Sequence, residues 1–161
     1  EYFSKRIAKN IINDPSSKRI DNIVQLATII RNSMPKVNYK IDPATKTFQA
    51  IRMFLNDEIS ELEKGLMAAE KVLKPKGVLA VVTFHSKEDR IVKKFFLKCS
   101  GNISTSRHLP SLPHKNQTFK IITKRPILPS QSEIDLNKRS RSAKLRIATK
   151  TISSSLYGDV A

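Results

Sequence analysis

One cysteine, no tryptophan and only four glycines in 161 residues set the first limits. The lone Cys99 excludes a disulfide framework and any multi-cysteine zinc site, and it suits a reducing, cytosol-like compartment. Gly65, Gly77, Gly101 and Gly158 stand too far apart to form a G-x-G-x-x-G turn or a Walker-type loop. A G-x-S-x-G elbow and a Cys–His nucleophile arrangement are also missing. No apolar run approaches the roughly 20 residues that a membrane span needs. The longest candidate, Val78 to Phe84, is strand-sized.

Acidic residues are scarce. Lys+Arg number 30 against 14 Asp+Glu, a net charge of +16 and a pI near 10.2. The surplus is uneven: residues 91–161 hold 14 basic and 3 acidic side chains, whereas 43–90 are nearly balanced. One basic region of this kind fits a polyanionic partner, nucleic acid before an anionic membrane surface. A solvated face is the bland alternative on charge alone. At 39% hydrophobic the chain can bury a core, in one domain or two small ones. It starts at Glu1 without Met or a signal-peptide pattern, as expected of a piece of a longer protein.

Periodicity divides the chain. Residues 3–13 read as a short basic helix with Ile7, Ala8, Ile11 and Ile12 on one face, broken by Asp14-Pro15-Ser16-Ser17. Asp21 is a candidate N-cap for a second helix carrying Ile23, Ala27 and Ile30, closed at Met34-Pro35. Asp42-Pro43 opens one long amphipathic helix through Phe48, Ile51, Leu55, Ile59, Leu62 and Leu66, ending near Leu73. Val78–Phe84, apolar on both faces, suits a central parallel strand covered by helices on both sides. A helix follows from Lys87 to about Leu97, then a loop over 100–118. A strand is expected at Phe119–Thr123 and a short helix from Ser130, capped with Glu133. In the last strand Ala143, Leu145 and Ile147 alternate with Lys144 and Arg146, giving one basic face. The fold class is α/β, and three strands make only part of a doubly wound sheet.

Three constellations carry chemistry. The first is Phe84-His85-Ser86-Lys87-Glu88-Asp89-Arg90, where a buried strand ends and a helix begins, the edge at which open α/β sheets bind ligands. There His85 is either a site wall able to donate or transfer a proton or a packed structural histidine. Ser86 either helps to hold an anion at the helix start or, with Asp89, caps the helix, and capping is the favoured reading. The second is the polar stripe Gln49, Arg52 and Asn56 on one helix face, fit for RNA phosphate or base edges or for leaning on a loop. The third, Lys138 to Arg146, has five basic residues and no acid. It reads as a phosphate-binding run or as an edge strand kept basic against aggregation. His108 and His114 lack paired carboxylates or cysteines, so no metal site is expected.

These motifs, in order, carry a resemblance. Pro43-Ala44-Thr45-Lys46-Thr47-Phe48-Gln49-Ala50-Ile51-Arg52, Asn56-Asp57-Glu58, Phe84-His85-Ser86 with Glu88-Asp89-Arg90, Pro129-Ser130 with Glu133-Ile134 and Asn137, and Arg141-Ser142-Ala143-Lys144-Leu145-Arg146 closely resemble the MraW/RsmH family. Its members are S-adenosylmethionine-dependent methyltransferases that act on the exocyclic N4 amine of a cytosine in 16S ribosomal RNA. The match runs from about residue 1 to 150, with Asp42 and Lys46 where the family usually has His and Arg, and Lys87 where it has Leu.

The resemblance implies the second half of a Rossmann-like methyltransferase sheet preceded by part of a helical insertion domain. Residues 1–42 would be the end of the insertion, 43–150 the C-terminal half of the sheet domain and 151–161 a frayed tail. It also implies that the glycine-rich loop and ribose-binding acid for S-adenosylmethionine lie outside this chain, which holds no cofactor-binding residue and is expected to be inactive alone. His85 and Ser86 become candidate walls of the catalytic site. Arg52, Asn56, Arg139, Arg141, Lys144 and Arg146 become candidate RNA contacts. The implied partners are 16S rRNA in the small subunit and, for the half-sheet, the N-terminal half of the same protein or a second copy, with no membrane and no metal. The implied location is the cytoplasm or an organellar matrix. A non-enzymatic, ribosome-associated RNA-binding module is the alternative.

Overall fold

The computed structural model describes residues 3–13, 20–35, 37, 39, 41–101, 117–152 and 156. Two compact units divide between Glu58 and Ile59. The first holds α1 (Ser4–Asn13), α2 (Ile23–Asn32) and α3 (Ala44–Leu55). Their apolar positions close a small core of Ile7, Ala27, Ile30 and Ala44, flanked by Phe3, Ile11, Leu26, Met34 and Phe48. Because Ala44 and Phe48 belong to this core, α3 groups with the first unit, and the boundary falls sixteen residues later than the Asp42–Pro43 position read from the sequence.

Polar groups fix the ends of these helices. Asn22, not Asp21, caps α2: its Oδ1 accepts from the Gln25 amide at 2.8 Å. The buried Ser33 closes the helix, its hydroxyl donating to Ile29 O at 2.7 Å. Asn10 of α1 then donates to Ser33 Oγ at 2.9 Å, and Arg6 donates to the Ser33 carbonyl. Asp42 accepts from the Ala44 amide at 2.9 Å and pairs with Arg31. The Arg31 guanidinium therefore holds the Asp42 carboxyl below its ordinary range.

The long helix expected through residue 73 is two helices. A turn at Asn56-Asp57, with Asp57 at φ 47°, separates α3 from α4 (Glu58–Val72). Asn and Asp tolerate the left-handed region, and the apolar period runs on across the break, which is why pattern alone misses it.

The second unit is built on three strands, β1 (Val78–Thr83), β2 (Phe119–Ile121) and β3 (Lys144–Lys150), in the order β1-β3-β2. Both pairings are antiparallel, with Val78 opposite Thr149, Thr83 opposite Lys144 and Phe119 opposite Lys150. Between them run α5 (Ser86–Cys99), α6 (Gln131–Leu136) and a short 3-10 helix, Lys138–Ser142. α4 and α5 pack on one sheet face around Leu66, Val92, Phe95, Phe96, Cys99, Phe119 and Ala148.

β1 is thus not a covered central strand of a parallel sheet. Among the described residues it is an edge strand, and Val78 and Val82 on its other face are 57% and 54% exposed. The apolar run reflects a strand with one face on this core and one face still open.

β3 inverts another expectation. Arg146, Ala148 and Lys150 form its buried face, while Leu145 and Ile147 are only half-buried. Two carboxylates from the helices make this possible. Asp89 of α5 accepts from Arg146 Nε at 2.7 Å and Nη2 at 3.2 Å. Glu70 of α4 accepts from Lys150 Nζ at 2.7 Å. A charge leaves water only when paired in this way.

Candidate functional site

The strand-to-helix junction after β1 is held by a reciprocal cap. His85, extended at φ −139°, is the N-cap of α5, and its Nδ1 accepts from the Glu88 amide at 3.3 Å. Glu88 Oε2 accepts in return from the Phe84 and His85 amides at 2.9 and 3.2 Å. Capping therefore falls to His85 and Glu88 rather than to Ser86 and Asp89. Ser86 is the exposed first residue of the helix, and Asp89 turns inward to Arg146.

Because Nδ1 accepts, the His85 ring carries its proton on Nε2. That atom is buried without a hydrogen-bond partner: Glu88 Oε1 lies 3.0 Å away but out of line for a hydrogen bond. Asp89 is held below its ordinary value of 3.8, first by its hydrogen bond with Arg146 and then by the charges of Arg146, Lys144 and Lys93.

The other sequence candidates separate by unit. In the first, Arg52 Nε and Nη2 grip the Glu58 carboxylate at 2.7 and 3.1 Å, and Asn56 Nδ2 donates to Glu58 Oε1 at 3.5 Å. Arg52 and Asn56 of the polar stripe converge on an acid that helix-face reasoning overlooked. A kinked helix end, signalled by Asn56-Asp57, is what brings Glu58 back to Arg52. In the second unit Arg139 and Arg141 are exposed on the 3-10 helix, and Lys144 is half-buried, 3.8 Å from Asp89. Arg146 is corrected from surface cation to structural partner: it is 6% exposed and engaged by Asp89. His108 and His114 lie outside the described residues, as do Asp14 to Ser17 and most of the tail after Ile152.

Sequence reasoning also passed over a basic cleft between α5 and β2. Its volume is about 390 Å³, and Lys93, Leu97, Lys120, Ile121, Lys124 and Arg146 are among its walls. The scattered lysines share no motif, so only the pairing of β2 with β3 gathers them.

A mixed α/β unit with a capped strand tip, a basic flank and a small helical unit before it is the architecture in hand. The comparisons place it. Residues 1–151 match the MraW methylase family, and the chain belongs to that family. It is 48% identical over 154 residues to the ribosomal RNA small subunit methyltransferase H of Methylorubrum extorquens (strain PA1), covering 94% of this chain and 44% of the relative. The proteins of the same name from Rickettsia akari (strain Hartford) and Paramagnetospirillum magneticum (strain ATCC 700264 / AMB-1) are 47% and 46% identical, with 94% of this chain aligned to 51% and 48% of theirs. The chain thus spans about half the length of the curated relatives it matches. No helix among the described residues is long and apolar enough to cross a membrane.

Proposed function

We propose that this chain is the C-terminal portion of a small-subunit rRNA methyltransferase that moves a methyl group from S-adenosylmethionine to the N4 amine of a cytosine in 16S rRNA. The family match over residues 1–151, with relatives bearing that enzyme's name, carries the reading. The open edge of β1 supports its second element: residues 59–150 belong to the returning half of a Rossmann-like sheet, whose preceding strands continue from β1, and the helical unit that ends at Glu58 carries the end of a helical insertion. Val78, Ala80 and Val82, exposed in this chain, are then covered by the rest of the protein.

The residues present at the β1 tip do not fit the methyl donor. A ribose or a sulfonium asks for an outward-facing carboxylate, and both acids there are engaged inside the chain, Glu88 by two backbone amides and Asp89 by Arg146. What this chain contributes is position. His85, with Nδ1 committed to the cap and Nε2 buried, is a wall of the site rather than the base that takes the amine's proton. Ser86 stands beside it, exposed at the helix start. Arg139, Arg141 and Lys144 contact the RNA backbone, with Arg52 and Asn56 as further contacts in the first unit.

The test uses the full-length enzyme on small ribosomal subunits. His85→Ala removes both cap and ring, whereas His85→Asn keeps a capping side chain. If His85 lines the reacting site, methyl transfer falls in both variants while His85→Asn retains its melting temperature. Full activity in His85→Asn would remove the residue from the site and leave it a helix cap. Calorimetry on this chain alone should give no S-adenosylmethionine binding. Micromolar binding would overturn the placement of the cofactor site outside it.

A further inference from the structure

The cleft between α5 and β2 lies apart from the β1 tip and plays no part in the role just assigned to His85. Lys93 and Leu97 of α5 and its C-cap Ser100 share one helix face. Opposite them stand Ile121 of β2 and, beyond the strand, Thr123 and Lys124, while the side chain of Lys120 alternates to the other sheet face. Leu97 and Ile121, with the buried Phe96 and Phe119, give the cleft an apolar floor. Among the described residues no carboxylate lines it. Arg146 at its base is neutralised by Asp89, but Lys93 and Lys124 make no ion pair among the described residues. Two lysines beside an apolar floor suit an anion with an apolar body.

We propose that this cleft is a docking site for single-stranded RNA, one nucleotide resting its base or sugar on Leu97 and Ile121 while flanking phosphates meet Lys93 and Lys124. Charge complementarity selects the occupant: the cleft lies in the third of the chain with 14 basic and 3 acidic residues. Its volume of about 390 Å³ falls within the range of roughly 300–1,000 Å³ usual for small-ligand sites, enough for one nucleotide rather than a duplex. The inference rests on the RNA-modifying reading and adds to it a second contact point, one that holds substrate without touching the reacting amine.

The test is fluorescence anisotropy on the full-length protein with a fluorescein-labelled, mixed-sequence 12-nucleotide RNA, titrated from 50 to 300 mM KCl. The variants are Lys93→Gln/Lys124→Gln and a control with the same loss of charge, Lys5→Gln/Lys9→Gln. Each phosphate contact on a single strand contributes about 0.7 to the slope of log affinity against log salt, so the cleft variant should lose about 1.4 from that slope and the control little. Leu97→Gln should weaken binding at every salt concentration with the slope unchanged. Matching slopes in the two double variants would overturn the site. So would equal affinity for a duplex of the same sequence, or charge-dependent binding to phosphatidylglycerol vesicles without binding to the RNA. Methyl transfer at saturating subunit concentration separates the two readings. A cleft effect on binding in a protein without transferase activity sinks the enzymatic reading alone, and normal transfer with unaltered slopes sinks the cleft alone.

Discussion

Replacing Lys150 by methionine is the most demanding perturbation of the second unit. The ammonium sits between α4 and the sheet: Nζ donates at 2.7 Å to both the Glu70 carbonyl and Oε1, and lies 5.4 Å from the Phe119 ring centroid. The Glu70 side chain has no exposed surface, and that of Lys150 has 6%. Lys150→Met keeps the aliphatic stem and removes the charge that the buried Glu70 carboxylate meets at 2.7 Å. Breaking a buried pair from one side costs about 3–5 kcal/mol. With a urea m-value near 2 kcal/mol/M, the denaturation midpoint should fall by about 1.5–2.5 M. Glu70→Leu alone strands the ammonium and should cost a similar amount. The double variant Glu70→Leu/Lys150→Met removes both charges together and should recover to within about 1 kcal/mol of the parent, since well-packed apolar replacements of buried pairs are often neutral or better. Circular dichroism through a urea series measures all four proteins. Single variants that shift the midpoint by less than about 0.5 M, or a double variant equal to the sum of the singles, would refute the view that each charge is buried because of the other.

Asp89 gives a pH prediction. Its folded pKa is depressed, so its pairing stabilises the fold fully above the unfolded value near 3.9 and is lost as pH falls through the lower folded value. Asp89→Asn should flatten the acid side of the stability profile measured by thermal melts from pH 2 to 6. Two glycines should respond oppositely to alanine. Gly65 lies in α4 with nothing within 4 Å of an added Cβ, so Gly65→Ala should gain about 0.5–1 kcal/mol, whereas the Cβ of Gly77→Ala would meet the Lys74 carbonyl at 2.8 Å and should cost about 1–3 kcal/mol. Cys99 is fully buried and its thiol is pushed up to about 11, chiefly by burial, so iodoacetamide at pH 8 should label it only as fast as the second unit opens.

Much of this was legible beforehand because local rules govern it. The period of Ile7 and Ile11, the punctuation at Pro75-Lys76-Gly77 and the Ser130 cap, which accepts from the Glu133 amide at 3.2 Å, all follow from neighbours within a turn. What escaped depends on partners far along the chain. Arg146 reads as a surface cation until Asp89, 57 residues away, is brought opposite it. The basic face of β3 is the buried one because α4 and α5 each supply a carboxylate, and alternation cannot tell which face a carboxylate will meet. At the site, position was legible and role was not: sequence marks the end of β1, but histidine is an uncommon cap, and Ser86 next to it is the more ordinary candidate. The cleft was invisible for the same reason as the ion pairs.

The strand order has a consequence for synthesis. β3 is the last of the three strands to leave the ribosome, yet it is the one that joins the other two. Between Thr83 at the end of β1 and Lys144 at the start of β3 lie 61 steps of chain. At about 5–20 residues per second the ribosome needs roughly 3–12 s to cover that interval. Throughout it β1 has emerged with its valines and its backbone donors but without the neighbour it will keep. The nascent chain is most vulnerable then, and a stall or premature stop before β3 would release a polypeptide whose sheet has lost its middle, and with it the strand that carries Arg146 and Lys150.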